Sequence, residues 1–136
     1  MYRCVAVALV SIFSLSATAA DWQVLADTKL GQLKMDKASV TREGKYTAAV
    51  LVYEFKELQR LSTPPNSVFN LRQDDVLVEC SHPSLGIRSS RFFEDKKLAN
   101  TYTLKDSEIK FSSPAPDTMA MTVVQSVCAA ESKIKP

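Results

Sequence analysis

The sequence predicts an α+β domain, an antiparallel β-sheet of about five to six strands with one C-terminal α-helix packed on it. Three observations lead there. Runs of β-branched and aromatic residues, punctuated by Gly, Pro, Asn and Asp, recur from residue 21 to residue 111. The connections between them are short, which favours antiparallel neighbours over crossovers. Then the apolar period changes: Ala120, Val123, Val124, Val127 and Cys128 recur at i, i+3, i+4, i+7 and i+8, one face of a helix. The chain has 136 residues, 46% of them apolar and 24% charged. That is the composition of one globular domain and not of a disordered chain, a collagen or a coiled-coil rod. A net charge of +2 is too balanced for a dedicated nucleic-acid binder.

The first twenty residues read as an address. Met1-Tyr2-Arg3 is a short basic start, Val5 to Leu15 is apolar, and Ser16-Ala17-Thr18-Ala19-Ala20 supplies the small residues of a secretory cleavage site. The apolar run is too short to span a bilayer, which takes about 20 residues. Cleavage is expected after Ala19 or Ala20, leaving residues 21–130 as a single domain and 131–136 as a loose tail. Cys4 precedes the apolar run and leaves with the signal; no cysteine sits where a lipoprotein would carry one. The expected product is exported to the periplasm or medium, with no transmembrane segment after cleavage. Its longest apolar run, Ala48 to Tyr53, is far below a membrane span.

The elements follow in order. Asp21 to Ala26 opens with alternating large apolar residues and predicts a first strand. In Leu30 to Asp36, Leu33 and Met35 alternate with Gln32, Lys34 and Asp36, the period of a half-buried strand. Arg42-Glu43-Gly44-Lys45 is a turn, with Gly44 the residue that takes positive φ without cost. Tyr46 to Lys56 is apolar on both parities, which marks a strand covered on both faces. Thr63-Pro64-Pro65-Asn66-Ser67 predicts a long exposed loop over 58–70. Val76 to Cys80, Ile87 to Asp95, Thr101 to Leu104 and Glu108 to Phe111 are further strand candidates, with turns at 81–86 and at Asp95-Lys96-Lys97. The helix is expected to be capped by Asp117 or Ser113, with Pro116 in its first turn. It covers one sheet face; the other is solvated or meets a partner, a second copy being the simplest.

Cys80 and Cys128 are the two cysteines left after the signal. In an oxidising compartment they are expected to form a disulfide rather than stay as two buried thiols. Closing so long a loop stabilises a fold by about 4 kcal/mol on chain-entropy reasoning. Cys128 lies on the apolar helix face, so the bond would pin helix to sheet. No catalytic or metal site is expected, and no cofactor. His82 is the single histidine and precedes Pro83 in a turn, without a G-x-S-x-G elbow. One His and two oxidised Cys cannot furnish a zinc site. Asp74-Asp75 with Glu79, and Glu94-Asp95, read as solvated carboxylates at strand ends and turns. Arg88, Arg91, Lys96 and Lys97 read as a charged edge that discourages strand pairing. Arg88 and Arg91 have opposite parity and share a patch only if the strand bulges.

Several segments in sequence carry a resemblance. They are Asp21-Trp22, the step Met35-Asp36-Lys37-Ala38-Ser39-Val40, the strand Ala48 to Phe55, Val78-Glu79-Cys80 before a strand with Arg88 and Phe92, Ser113-Pro114, and a helix closing at Cys128. In this order they resemble the bacterial surface-adhesin protein E family, over residues 21 to 128. The resemblance implies a small antiparallel sheet with a C-terminal helix, an internal disulfide and often a dimer. It also implies kinship to a surface protein that binds host matrix and plasma proteins. The chain departs from that pattern in lacking a lipoprotein cysteine, and no motif transfers a ligand-binding residue. The expectation is an exported, non-enzymatic protein-binding module. The alternative is a periplasmic inhibitor of an enzyme such as lysozyme, inserting loop 58–70, or an envelope accessory protein.

Overall fold

The computed structural model describes residues 19–134, so all but the end of the expected signal segment lies outside the described residues. Six strands follow in chain order: β1 Trp22–Asp27, β2 Gly31–Glu43, β3 Tyr46–Arg60, β4 Val68–Glu79, β5 Ser84–Glu94 and β6 Lys97–Thr103. They form one sheet in the order β1-β2-β3-β4-β5-β6, every neighbouring pair antiparallel. A short 3-10 turn, Asp106–Glu108, and one helix, α1 Met119–Glu131, complete the described residues. No helix of the described residues is long and apolar enough to cross a membrane.

The meander follows from its turns. Glu43 pairs with Tyr46 across Gly44 and Lys45, and Gly44 takes φ 60°. Glu94 pairs with Lys97 across Asp95 and Lys96, both at positive φ as a two-residue hairpin of the right twist demands. Asn70 holds that second turn: its side-chain amide donates to Asp95 Oδ1 at 2.9 Å and its carbonyl accepts the Asp95 N–H at 3.0 Å. The Asp36-Lys37-Ala38-Ser39 step interrupts the β2–β3 ladder, which resumes at Thr41. Ser39 repairs the gap. Its hydroxyl accepts the Val50 N–H at 2.8 Å and donates to the Asp36 carbonyl at 2.6 Å, while Asp36 Oδ1 accepts the N–H groups of Ala38 and Asp21.

The core lies between α1 and one face of the sheet. Leu33, Met35 and Val40 of β2, Ala49 and Leu51 of β3, and Val76 and Val78 of β4 pack against Val123, Val124 and Val127 of α1. The helix carries the apolar stripe read from its spacing. Cys80 and Cys128 are joined, with S–S 2.10 Å and Cα–Cα 5.7 Å, and fasten α1 to the end of β4. One turn beyond Cys128, Glu131 accepts from Arg42 and from Thr47 Oγ1, the latter at 2.9 Å.

Several expectations are corrected. The loop at 58–70 shrinks to residues 61–67, because β3 runs on to Arg60 and β4 starts at Val68. The turn is tied across its base by Leu61 N–H to the Ser67 carbonyl at 2.9 Å and by Asn66 Nδ2 to the Leu61 carbonyl at 3.0 Å. Asp74 and Asp75 sit within β4 and not at a strand end, since the hydroxyls of Ser90 and Ser89 on β5 satisfy them at 2.6 and 2.7 Å. Glu108 to Phe111 is not a strand: after β6 the chain runs over the sheet face and resumes backbone pairing with it at Ser112, which bridges Leu85. Thr118 caps α1, its hydroxyl accepting the Met121 N–H at 3.2 Å; Asp117 instead takes positive φ in the preceding turn, and Pro116 stays outside the helix. Glu131 belongs to the helix, not to a loose tail.

Candidate functional sites on the two sheet faces

The double-sided apolar character of β3 gives the sheet two usable faces. On the helix side, α1 covers one end and leaves the other open. There the side chains of Leu33, Leu51, Tyr53, Phe55, Val76, Leu85 and Ile87 and the N-terminal residues Met119, Ala120 and Val123 of α1 line a groove of about 470 Å³. Its aromatic side is ordered: Tyr53 stacks on Phe55 at 4.3 Å, Phe55 meets Phe69 edge-on at 5.6 Å, and Phe69 meets Phe92 at 4.8 Å. Arg72 and Asp74 are the charged lining residues. Arg72 Nε donates to Asp74 Oδ1 at 2.8 Å, and the Arg72 guanidinium lies 5.8 Å from the Phe92 ring centre. Sequence reasoning missed this groove because its walls come from five separate elements.

The opposite face divides differently. At one end the segment after β6 lies over it as a strap. Phe111 stacks on Tyr46 at 4.7 Å, and Ile109 and Phe111 press on Gly86, where no Cβ would fit without displacing them. Gly86 pairs with Leu77, which is buried. At the other end the face is open. Trp22, Lys34, Val52, Glu54, Leu71, Gln73, Phe93 and Lys96 line a shallow depression of about 340 Å³. Trp22 is 46% exposed and its β1 neighbour on the same face, Val24, is 51% exposed. Lys34 and Glu54 form an ion pair of 3.0 Å at the rim. A third depression, of about 480 Å³, lies between β1 and the C-terminal end of α1, lined mostly by small and polar side chains such as Gln23, Gln125, Ser126 and Ala129.

Several of the charged residues singled out in the sequence are drawn into local pairs. The β4–β5 ladder shifts between Asp75 and Val76, which supplies the bulge that Arg88 and Arg91 needed. Arg88 nevertheless turns to Glu43, which it grips with both terminal nitrogens, and lies 3.9 Å from Asp106. Those hydrogen bonds hold the Glu43 carboxyl below its usual range and raise the Arg88 guanidinium further. Arg91 sits 3.9 Å from Asp75. His82 stands in the turn after Cys80, 3.4 Å from Glu79 and 3.3 Å from Ser81 Oγ. Cys80, Cys128 and Glu131 cluster within 4.8 Å, but both sulfurs belong to the disulfide and Glu131 to Arg42 and Thr47.

No family model matches the sequence, and no curated protein matches it. Solved structures do match. The fold is similar to Haemophilus influenzae protein E in crystal form II, with TM-score 0.55 and 15% identity over 74% of this chain and 83% of that one. It is likewise similar to protein E from non-typeable Haemophilus influenzae, with TM-score 0.55 and 13% identity over 84% of this chain and 79% of that one. At such identity the shared property is the fold.

Proposed function

We propose, from a fold shared with protein E, that this chain is an exported, non-enzymatic binding protein that captures a host matrix or plasma protein on the open face of its sheet. The observation that carries the reading is the exposed apolar patch around Trp22. It has an aromatic centre in Trp22 and Phe93, and a charged rim in Lys34, Glu54 and Lys96. Interfaces concentrate their binding energy in such buried aromatic anchors surrounded by polar residues. Trp22 also lies on an edge strand, so a docking chain can combine side-chain burial with the free backbone groups of β1. Arg88, Arg91, Asp74 and Asp75 are engaged in local pairs, whereas nothing within the described residues covers the apolar patch.

The test is a titration of the oxidised chain against vitronectin, laminin and plasminogen, with its own oligomeric state measured in parallel. Saturable binding to one of them supports adhesion; flat titrations against all three reject it. A dimer that buries Trp22 would reassign the patch to a second copy. Protease shaving of intact cells, against a periplasmic control, then decides between surface display and the periplasm.

A further inference from the structure

The groove beside α1 lies on the opposite face from Trp22 and needs its own account. We propose that it binds a single-chain anionic amphiphile, a long-chain carboxylate whose aliphatic chain lies against Leu33, Leu51, Val76 and Met119 and whose head meets Arg72. This proposal does not depend on the open-face reading.

Three observations support it. The groove is large enough, since its volume of about 470 Å³ falls in the range of roughly 300–1,000 Å³ usual for small-molecule sites. Its lining matches one apolar chain and one polar head: aliphatic and aromatic side chains throughout, with a single charged pair. The pair is asymmetric. Ser90, itself buried, holds Asp74 Oδ1 at 2.6 Å, and Asp74 in turn holds Arg72 by Nε alone. Both terminal nitrogens of Arg72 make no hydrogen bond to the described residues. The Arg72 side chain is 35% exposed against 15% for Asp74, so a ligand meets the cation first. A guanidinium fixed through Nε and laid over Phe92 presents its remaining fork without further ordering, and that fork fits a carboxylate with two parallel hydrogen bonds. An alcohol head would use only one of those donors, and a quaternary ammonium head offers the fork no acceptor.

The experiment is a titration of the intact, oxidised chain with sodium dodecanoate below its micelle-forming concentration, followed by amide NMR shifts. Dodecan-1-ol and dodecyltrimethylammonium are run beside it. The expected result is saturable one-to-one binding of dodecanoate, with shifts at Leu51, Tyr53, Arg72 and Met119 and none at Trp22. The other two amphiphiles bind at least tenfold more weakly. Arg72→Gln brings dodecanoate down to the level of the alcohol, and Arg72→Lys, which keeps the charge and loses the fork, falls between. Ala120→Trp fills the groove and abolishes binding; if that variant does not fold, the Arg72 pair still decides. Equal binding of the three amphiphiles, unchanged affinity in Arg72→Gln, or shifts confined to other surfaces would overturn the proposal.

Discussion

Replacing both cysteines, Cys80→Ala with Cys128→Ala, tests whether the disulfide holds α1 on the sheet. The bridge closes a separation of 48 residues. Loop-closure entropy for that length comes to about 14 cal/mol/K, or about 4 kcal/mol at room temperature. Unfolding entropy of about 2.1 cal/mol/K per residue, summed over the folded domain, converts this to a fall in Tm of about 16 °C. The double variant leaves no unpaired thiol in residues 21–136 and keeps the apolar contacts of Val123, Val124 and Val127, so the loss should reflect the cross-link itself. Urea unfolding followed by far-UV circular dichroism gives the free energy directly, and the same curve on the reduced wild type is an internal check. A loss below about 1 kcal/mol would mean that the unfolded chain gains almost nothing from release of so long a loop, and that the bridge does not hold the fold.

Three further outcomes follow from single contacts. Gly86→Val drives a side chain into Ile109 Cγ2, which already lies 2.7 Å from an ideal Cβ, and should cost about 1–3 kcal/mol while exposing Tyr46 to quenchers; an unchanged urea midpoint counts against the strap. Thr118→Ala removes the hydroxyl that accepts the Met121 N–H and should cost about 1 kcal/mol, restored by Thr118→Ser. Glu43 is held below its ordinary range by Arg88, so its contribution is present above the unfolded carboxyl value of about 4.3 and fades as pH falls through the lower folded value. Both side chains are substantially exposed, which limits the effect to under about 1 kcal/mol. The stability gap between wild type and Glu43→Gln should therefore be constant at neutral pH and close in acid; a gap that widens in acid contradicts the assignment.

What could be read from residues alone followed their period. β3 announced itself because Ala49 and Leu51 face the helix while Val50 and Val52 face the other way, leaving no parity polar until Glu54. The stripe of α1 was equally plain. β4 was half lost, because Asn70, Arg72, Gln73, Asp74 and Asp75 look like a solvated connection until β5 supplies Ser89 and Ser90 as partners. The ends of β3 and β4 were hidden by Pro64 and Pro65, whose influence stops at a tied turn and does not reach Leu58 or Phe69. Thr118 is masked as a cap by Asp117 beside it, a residue type that caps more strongly. Neither candidate site was legible. The groove draws on β2, β3, β4, β5 and α1, and the patch around Trp22 needs the register of five strands and the hairpin at Lys96. Long-range assemblies of this kind leave no local signal in a single sequence.

If a partner docks on the open face around Trp22, the chain's single tryptophan reports on it. With 5-fluorotryptophan incorporated at that one position, a ¹⁹F spectrum shows Trp22 and nothing from an unlabelled partner. On addition of the host protein that binds in the titration, this resonance should shift and broaden saturably. Trp22→Ala should weaken binding by tenfold or more with unfolding stability unchanged. A resonance that stays in place while binding is demonstrably saturated would put the docking surface elsewhere on the molecule.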